Sequence, residues 1–428
     1  MVVKKYLYPD RAIWKAIQQR PELDVTLLFE MVQTVLNDVK ANGDEAVRRY
    51  TEQFDKVYLV DLLVSENEIN EAELMLTSEL KQAIRTAYQN IYQFHASQQF
   101  EGGKVETMTG VICWQKAVPI EKIGLYIPGG TAPLFSSVLM LAIPATIAGC
   151  KEIILCTPPN REGKVHPAIL FAAKVSGVSK VFKVGGIQAI AAMTYGTETV
   201  PKVYKIFGPG NQYVVAAKQL VSLKDVAIDM PAGPSEVEII ADDKANPVYI
   251  AADFLSQAEH GADSQSVLVT TSETLAEAVK DEIENQLSKL PRRDFAEKSL
   301  SHSCIVILND DNEMIDFTNQ YAPEHLIIQT VNYAEISDRI LNAGSVFLGP
   351  YTPESAGDYA SGTNHTLPTK GYAKMFSGVN LDSFIKKITF QEITKEGLQL
   401  LGPTIEIMAE AEQLDAHKNA VTVRLMIE

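Results

Sequence analysis

The sequence predicts an α/β protein built on two parallel βα sheets, with a helical segment ahead of them and a helical tail behind. Three observations carry that prediction. From about residue 123, short β-branched or aliphatic runs alternate with Gly- or Pro-containing turns and apolar helical stretches, the rhythm of strand–turn–helix units in a parallel sheet. The rhythm runs through two successive series. The 428 residues carry 46% hydrophobic and 21% charged side chains, an ordinary globular composition. That length suits roughly two to three domains of about 150 residues.

Ahead of the sheets, residues 21–100 show helical apolar spacing in LLFEMVQTVLNDVKANGDEAVRRYTEQF and again in AELMLTSELKQAIRTAYQNIYQF. Helices placed there can cover a sheet face. The first series then predicts strands at 123–127, 152–156, 180–184 and 203–207, followed by the turns PGG (128–130), PPN (158–160), GG (185–186) and GPGN (208–211). In a parallel sheet the carboxyl ends share one edge, so these turns are expected together. Ligands of open α/β sheets bind at that edge, where helix N-termini offer free N–H groups to phosphate. A phosphate-bearing ligand is therefore expected, against the alternative that glycine ends these strands for steric reasons alone. GPGNQY supplies two glycines of G-x-G-x-x-G and not the third, and no P-loop is present.

The second series predicts strands near 236–241, 266–270, 304–308, 325–329 and 345–348, with helices at 247–259 and 273–290 between them. The last fifty residues differ, with an amphipathic helix near 403–417 and a short terminal run, AVTVRLMIE. A helical tail after a finished α/β domain is expected to pack on a neighbouring subunit.

Composition excludes several functions. With 38 basic against 54 acidic residues and a net charge of −16, the chain lacks the clustered Lys and Arg that nucleic acid or an anionic membrane requires. The uncharged stretch 124–150 is long enough to span a bilayer, but Pro128, Pro133 and Pro144 break it, and a strand, a turn and a buried helix explain it better. Cys113, Cys150, Cys156 and Cys304 contain no C-x-x-C pair and cannot form a disulfide framework, which fits a reducing compartment. The N-terminus has no apolar secretory core, so a cytoplasmic protein is expected.

The candidate chemistry is scattered along the chain. His95, His166 and His302 sit in settings that read as structural. His260 lies beside Gly261 with Gln257 three residues earlier on the same helical face, so the two could hold a metal or His260 could simply cap the helix. Glu324 and His325 form a PEH triplet at a helix-to-strand junction. A carboxylate and an imidazole are a plausible general-base pair, but adjacent strand residues point to opposite faces unless a turn intervenes. The loop PYTPESAGDYASGTNHTLPT builds neither helix nor strand by composition and carries Asp358 and His365, which suit Zn²⁺. Ser235 in PAGPSE lacks a G-x-S-x-G elbow, and His417 alone reads as a surface histidine.

Taken in order, GLYIPGGTAPLFSSVLMLAIPA, KVGGIQAIAAMTYGT, KIFGPGNQYV, AIDMPAGPSEV, LSQAEHGADSQ, NQYAPEHLIIQT, GSVFLGPYTPESAGDYASGTNHTLPT and AHKNAVTVR resemble the histidinol dehydrogenase family from about residue 25 to the end. The resemblance implies oxidation of L-histidinol to L-histidine through the aldehyde, with two NAD⁺, a bound Zn²⁺ and a homodimer whose sites take residues from both chains. By the same resemblance Gln257, His260, Asp358 and His417 would ligate zinc and face the substrate, and Glu324 would activate water while His325 moves protons. Ser235, His365 and Glu412 would contact substrate, with Glu412 and His417 coming from the partner. Tyr126, Gln188 and Asn211 would bind NAD, in or just after the turns that the strand pattern had marked for phosphate. Cys113 and Cys150 lie in apolar contexts, so a non-thiol mechanism is expected. The implied layout is two Rossmann-like domains, 1–122 with 236–375 as the larger and 123–235 as the NAD-binding one, and a tail at 376–428. A dehydrogenase of the same fold acting on another alcohol, a zinc hydrolase and a non-enzymatic NAD sensor stay open as alternatives.

Overall fold

The computed structural model describes residues 3–21, 25–129, 132–231, 233–291 and 293–426. Gly130 of the first predicted turn lies outside them. The larger sheet has six parallel strands in the order Lys4–Leu7, Cys304–Ile307, Gln265–Thr270, Glu236–Ala241, His325–Gln329 and Ser345–Leu348. Every residue of the four interior strands is buried, because helices cover both faces and such strands read as continuous apolar runs rather than alternating ones. Chain direction reverses across the sheet between Glu236–Ala241 and His325–Gln329.

The smaller sheet repeats the plan with five parallel strands, in the order Lys180–Phe182, Glu152–Cys156, Lys122–Tyr126, Lys205–Phe207 and Ala227–Ile228. Its reversal falls between Lys122–Tyr126 and Lys205–Phe207. Alternate residues serve opposite faces. Ile123 and Leu125 pack with Ile84, Ile91 and the helix Phe135–Ala148. Tyr126, Ile154 and Cys156 pack with Val35, Val39 and the helix Gly186–Tyr195. The uncharged stretch 124–150 is thus strand, turn and a buried helix, and no described helix is long and apolar enough to cross a membrane.

Three features depart from the sequence expectations. The helices Phe29–Asp55 and Ser78–Ala96 cover the smaller sheet, whereas the implied layout groups 1–122 with the larger unit. Of that N-terminal stretch, the strand Lys4–Leu7 and the helix Arg11–Ile17 join the larger sheet. Next, an antiparallel sheet of Ile385–Ile393, Val111–Pro119 and Val105–Met108 has no counterpart in the sequence reading. Finally, the tail is two helices, Lys395–Ala411 and Asp415–Leu425, in place of one at 403–417 and a terminal run. Gln413, at φ 58°, makes the break. The β-branched AVTV run is helical because Val421 and Leu425 pack closely on Gly402 of the preceding helix, and packing overrides propensity.

Candidate active site

His325 opens an interior strand of the larger sheet, and Glu324 stands just before it, where the chain is still turning into the strand. That turn brings the adjacent pair together, with Nδ1 of His325 3.7 Å from Oε2 of Glu324. The neighbouring strand fixes both. The Glu236 N–H donates to Glu324 Oε2 at 2.9 Å, and the Glu236 carbonyl lies 3.3 Å from His325 Nδ1. Ser235, half-buried, immediately precedes Glu236. The pair therefore sits at the amino ends of the strands, across the reversal point, rather than at the carboxyl ends where open α/β sheets usually bind ligands.

The polar loop after the last strand supplies the rest. It contains a short helix, Glu354–Tyr359, whose spacing puts Glu354 and Asp358 on one face. Asp358 Oδ1 lies 3.6 Å from His325 Nε2, and Glu354 Oε1 lies 3.6 Å from His325 Nδ1. His260, just past the helix Pro247–Ala258, brings Nε2 to 3.9 Å from Asp358 Oδ2. Ligand atoms of His260, Glu354 and Asp358 lie within 4.8 Å of one another. Gln257, one turn back in the helix, is fully buried with neither amide atom hydrogen-bonded, and both Glu354 oxygens and His325 Nε2 also lack hydrogen bonds. Buried polar atoms normally have partners, so this cluster is shaped for something polar or cationic. Nitrogen and oxygen donors with no cysteine suit zinc.

Electrostatics follow from this crowding. Burial pushes the Glu324 carboxyl up to about 7 and raises that of Glu354 as well. On His325, burial opposes the charged form, but Glu354, Glu324 and Asp358 outweigh it and raise the imidazole to about 10. For Asp358, burial is outweighed by the closeness and charge of His325, and its carboxyl falls below the ordinary range. His365 behaves differently, since burial holds it neutral. Its Nδ1–H donates to the Asp358 carbonyl at 2.9 Å, leaving Nε2, at 3.0 Å, to accept from the Ser137 hydroxyl.

Ser137 belongs to the helix that follows the first strand of the smaller sheet, so this bond joins the two sheets at the site. The Gly-rich turns converge beside it. A Cβ on Gly129 or Gly185 would press on Pro158, and one on Gly208 would meet the Tyr126 carbonyl oxygen at 2.0 Å. Tyr126 accepts the Gly186 N–H on its hydroxyl at 3.1 Å. Gln188 is fully buried, with Nε2 donating to Asp55 at 3.4 Å and Oε1 unpartnered. Asn211 caps the helix Gln212–Ser222, its side-chain oxygen accepting the N–H groups of Tyr213 and Val214. Close backbone approach and an orphaned buried amide oxygen fit a dinucleotide, while the Asn211 cap already engages two N–H groups of that helix N-terminus.

Glu412 and His417 are not in this assembly. Both are exposed on the tail, beyond the cluster formed by His260, Glu354 and Asp358. Conversely, Glu354 was not singled out from the sequence, although it lies within the PYTPESAGDY segment. Burial pushes the thiols of Cys150 and Cys304 up to about 12, and that of Cys156 higher still, which leaves them poor nucleophiles.

The comparisons with known proteins agree over nearly the whole chain. The profile of the family described as histidinol dehydrogenase matches residues 18–425. A histidinol dehydrogenase from Bacteroides thetaiotaomicron is 65% identical over 424 residues, covering 99% of each chain. The Escherichia coli (strain K12) relative of the same name is 54% identical, covering 96% of this chain and 94% of that one. The crystal structure of histidinol dehydrogenase from Elizabethkingia anophelis superimposes with a TM-score of 0.97 at 56% identity, covering 99% of this chain and 98% of that one.

Proposed function

The chain belongs to the histidinol dehydrogenase family, and from that premise we propose that it oxidises L-histidinol to L-histidine through L-histidinaldehyde, with two NAD⁺ and zinc, in a homodimer with shared sites. The observation that carries the reading is the buried, unpartnered polar cluster of Gln257, Glu354 and His325 at the seam between the two sheets.

Gln257, His260, Asp358 and the partner's His417 would hold zinc, whose contribution when bound is to fix the imidazole and amino nitrogens of the substrate as a template. Tyr126, Gln188 and Asn211 would hold NAD⁺, which when bound would supply the hydride acceptor for each oxidation. In the first, the neutral form of His325, which the surrounding carboxylates make the minor one until their charge is engaged elsewhere, takes the hydroxyl proton as the carbinol carbon loses hydride, leaving the aldehyde. In the second, Glu324 takes a proton from water as its oxygen adds to the aldehyde carbon. A carboxyl raised to about 7 by burial is suited to that task near neutral pH. His325 passes its first proton to the aldehyde oxygen as water adds, then removes a hydroxyl proton of the hydrate as the second hydride leaves, giving the carboxylic acid, which ionises to the carboxylate. Ser235, His365 and the partner's Glu412 orient the substrate. No thiol is used.

The shared site draws support from the tail. Leu400, Ile407 and Met408 of the helix Lys395–Ala411, and Met426 just past the second helix, are all more than half exposed, apolar surface suited to burial against a second copy.

The test is to count NADH formed per L-histidinol consumed by zinc-loaded protein with excess NAD⁺. Two per substrate supports the four-electron oxidation. One would mean an alcohol dehydrogenase that stops at the aldehyde, and none would reject the assignment.

A further inference from the structure

We propose that Arg20 is a positioning residue for the Glu324–His325 pair, a clamp that fixes the strand start at Glu236 against the turn leading into Glu324. The inference rests on the reading of Glu324 and His325 as the catalytic pair. Arg20 follows the N-terminal helix Arg11–Ile17. Its Nε and Nη2 grip the Glu236 carboxylate as a fork, with Nη2 2.9 Å from Oε1. Nη2 also donates to the carbonyls of Tyr321 at 2.8 Å and Ala322 at 3.3 Å, and the guanidinium carbon lies 3.9 Å from the centre of the Tyr321 ring.

Each contact leads towards the pair. Glu236 presents its N–H to the Glu324 carboxylate and its carbonyl to His325 Nδ1. Tyr321 ends the helix Asp311–Tyr321, and Ala322, at φ 56°, holds a left-handed conformation that a residue with a Cβ adopts only when its surroundings impose it. Pro323 and Glu324 come next. The Gly371 N–H also bonds the Glu236 side chain, tying in the far end of the polar loop. One guanidinium therefore spans segments that meet only in the folded chain. Lysine cannot replace it, because an ammonium has no planar fork to serve a carboxylate and two carbonyls at once. The side chains of Arg20 and Glu236 are 15% and 2% exposed, so bulk water does not substitute either.

The experiment measures steady-state kinetics of zinc-loaded Arg20→Ala and Arg20→Lys, with the folded fraction taken from near-UV circular dichroism. Misplacement of the pair by a fraction of an ångström should lower kcat by about tenfold to a hundredfold per folded molecule. The KM for L-histidinol should change by less than about threefold, since uniform binding is untouched. Guanidinium chloride at non-denaturing concentration should restore part of the Arg20→Ala rate, and equal ammonium chloride should not. A cavity of about 240 Å³ bordered by Ile17, Gln19, Arg20 and His302 offers the entry path. Arg20→Lys covers the case in which the alanine variant does not fold, and it should show the same loss of kcat in a milder form. Loss of activity that only tracks the folded fraction, or an unchanged kcat in Arg20→Lys, overturns the proposal. Parent protein that leaves L-histidinol untouched would instead overturn the functional reading, so the two failures are distinguishable.

Discussion

Glu354 Oε1 lies 3.6 Å from Nδ1 of His325 while the same carboxylate stands among the candidate metal-holding atoms of His260 and Asp358. Glu354 thus faces both the imidazole proposed to move protons and the proposed metal position, and its buried oxygens have no hydrogen-bond donor of their own. The isosteric Glu354→Gln should retain zinc, because Gln257, His260 and Asp358 remain, and should lose about tenfold to a hundredfold in kcat, as outer-shell partners of metal sites do. Metal analysis beside kinetics decides. A stoichiometric loss of zinc would make Glu354 a ligand instead.

If the exposed His417 serves the partner's site, two inactive variants should rescue one another. Mixing His417→Ala and Glu324→Ala chains by reversible dissociation would give heterodimers with one intact site and one doubly altered. Random pairing at equal amounts then yields about a quarter of the parent activity. Activity at background level would place His417 outside the site.

Gly208, at φ 122°, passes so close to the Tyr126 carbonyl that any Cβ must displace backbone. Strain of that kind costs about 1–3 kcal/mol. Gly208→Ala should therefore weaken NAD⁺ binding by roughly tenfold or more, measured by calorimetry, while zinc content stays at the parent value. Unaltered NAD⁺ affinity would remove this turn from the nucleotide site.

Glu238 is fully buried in the middle of its strand, with Oε1 accepting the Thr318 hydroxyl at 2.6 Å and Oε2 unpartnered. Burial pushes its carboxyl from 4.5 up to about 8. Between those values the native chain holds a proton that the unfolded chain has released, so rising pH erodes stability through this window and the loss is complete above about 8. Glu238→Gln lacks that titration. Its melting temperature should gain on the parent by roughly 5 °C between pH 5 and pH 8.5. A constant difference across that range would contradict the assignment.

The sequence patterns disclosed elements whose identity is local. The strands Glu236–Ala241, His325–Gln329 and Ser345–Leu348 have the bounds expected from their apolar runs. Lys180–Phe182 is shorter than expected, because Lys183 and Val184 already lead into the glycine turn. The strand KKYL at the N-terminus carries no alternation to betray it, since an edge strand is defined by its partner, and that partner is Cys304–Ile307. The strand Ile385–Ile393 is almost wholly exposed and so has no inward face to produce a period-two pattern.

The site was legible to a similar degree. Glycine turns mark the crevice proposed for the nucleotide because strain and close approach are written in single residues. The joining of His260 to Asp358 could not be read from spacing, and it was the family resemblance that paired them. Glu354 looks like any acidic residue opening a short helix. Only packing shows that it is 1% exposed.

The pairing of Lys4–Leu7 with Cys304–Ile307 also sets an order of events during synthesis. At about 5–20 residues per second the N-terminal strand waits roughly 15–60 s for its partner to leave the ribosome. The smaller sheet, whose strands lie between Lys122 and Ile228, has all its pieces well before then. The nascent chain can therefore complete the smaller sheet, with its proposed nucleotide crevice, before the seam that carries Glu324 and His325.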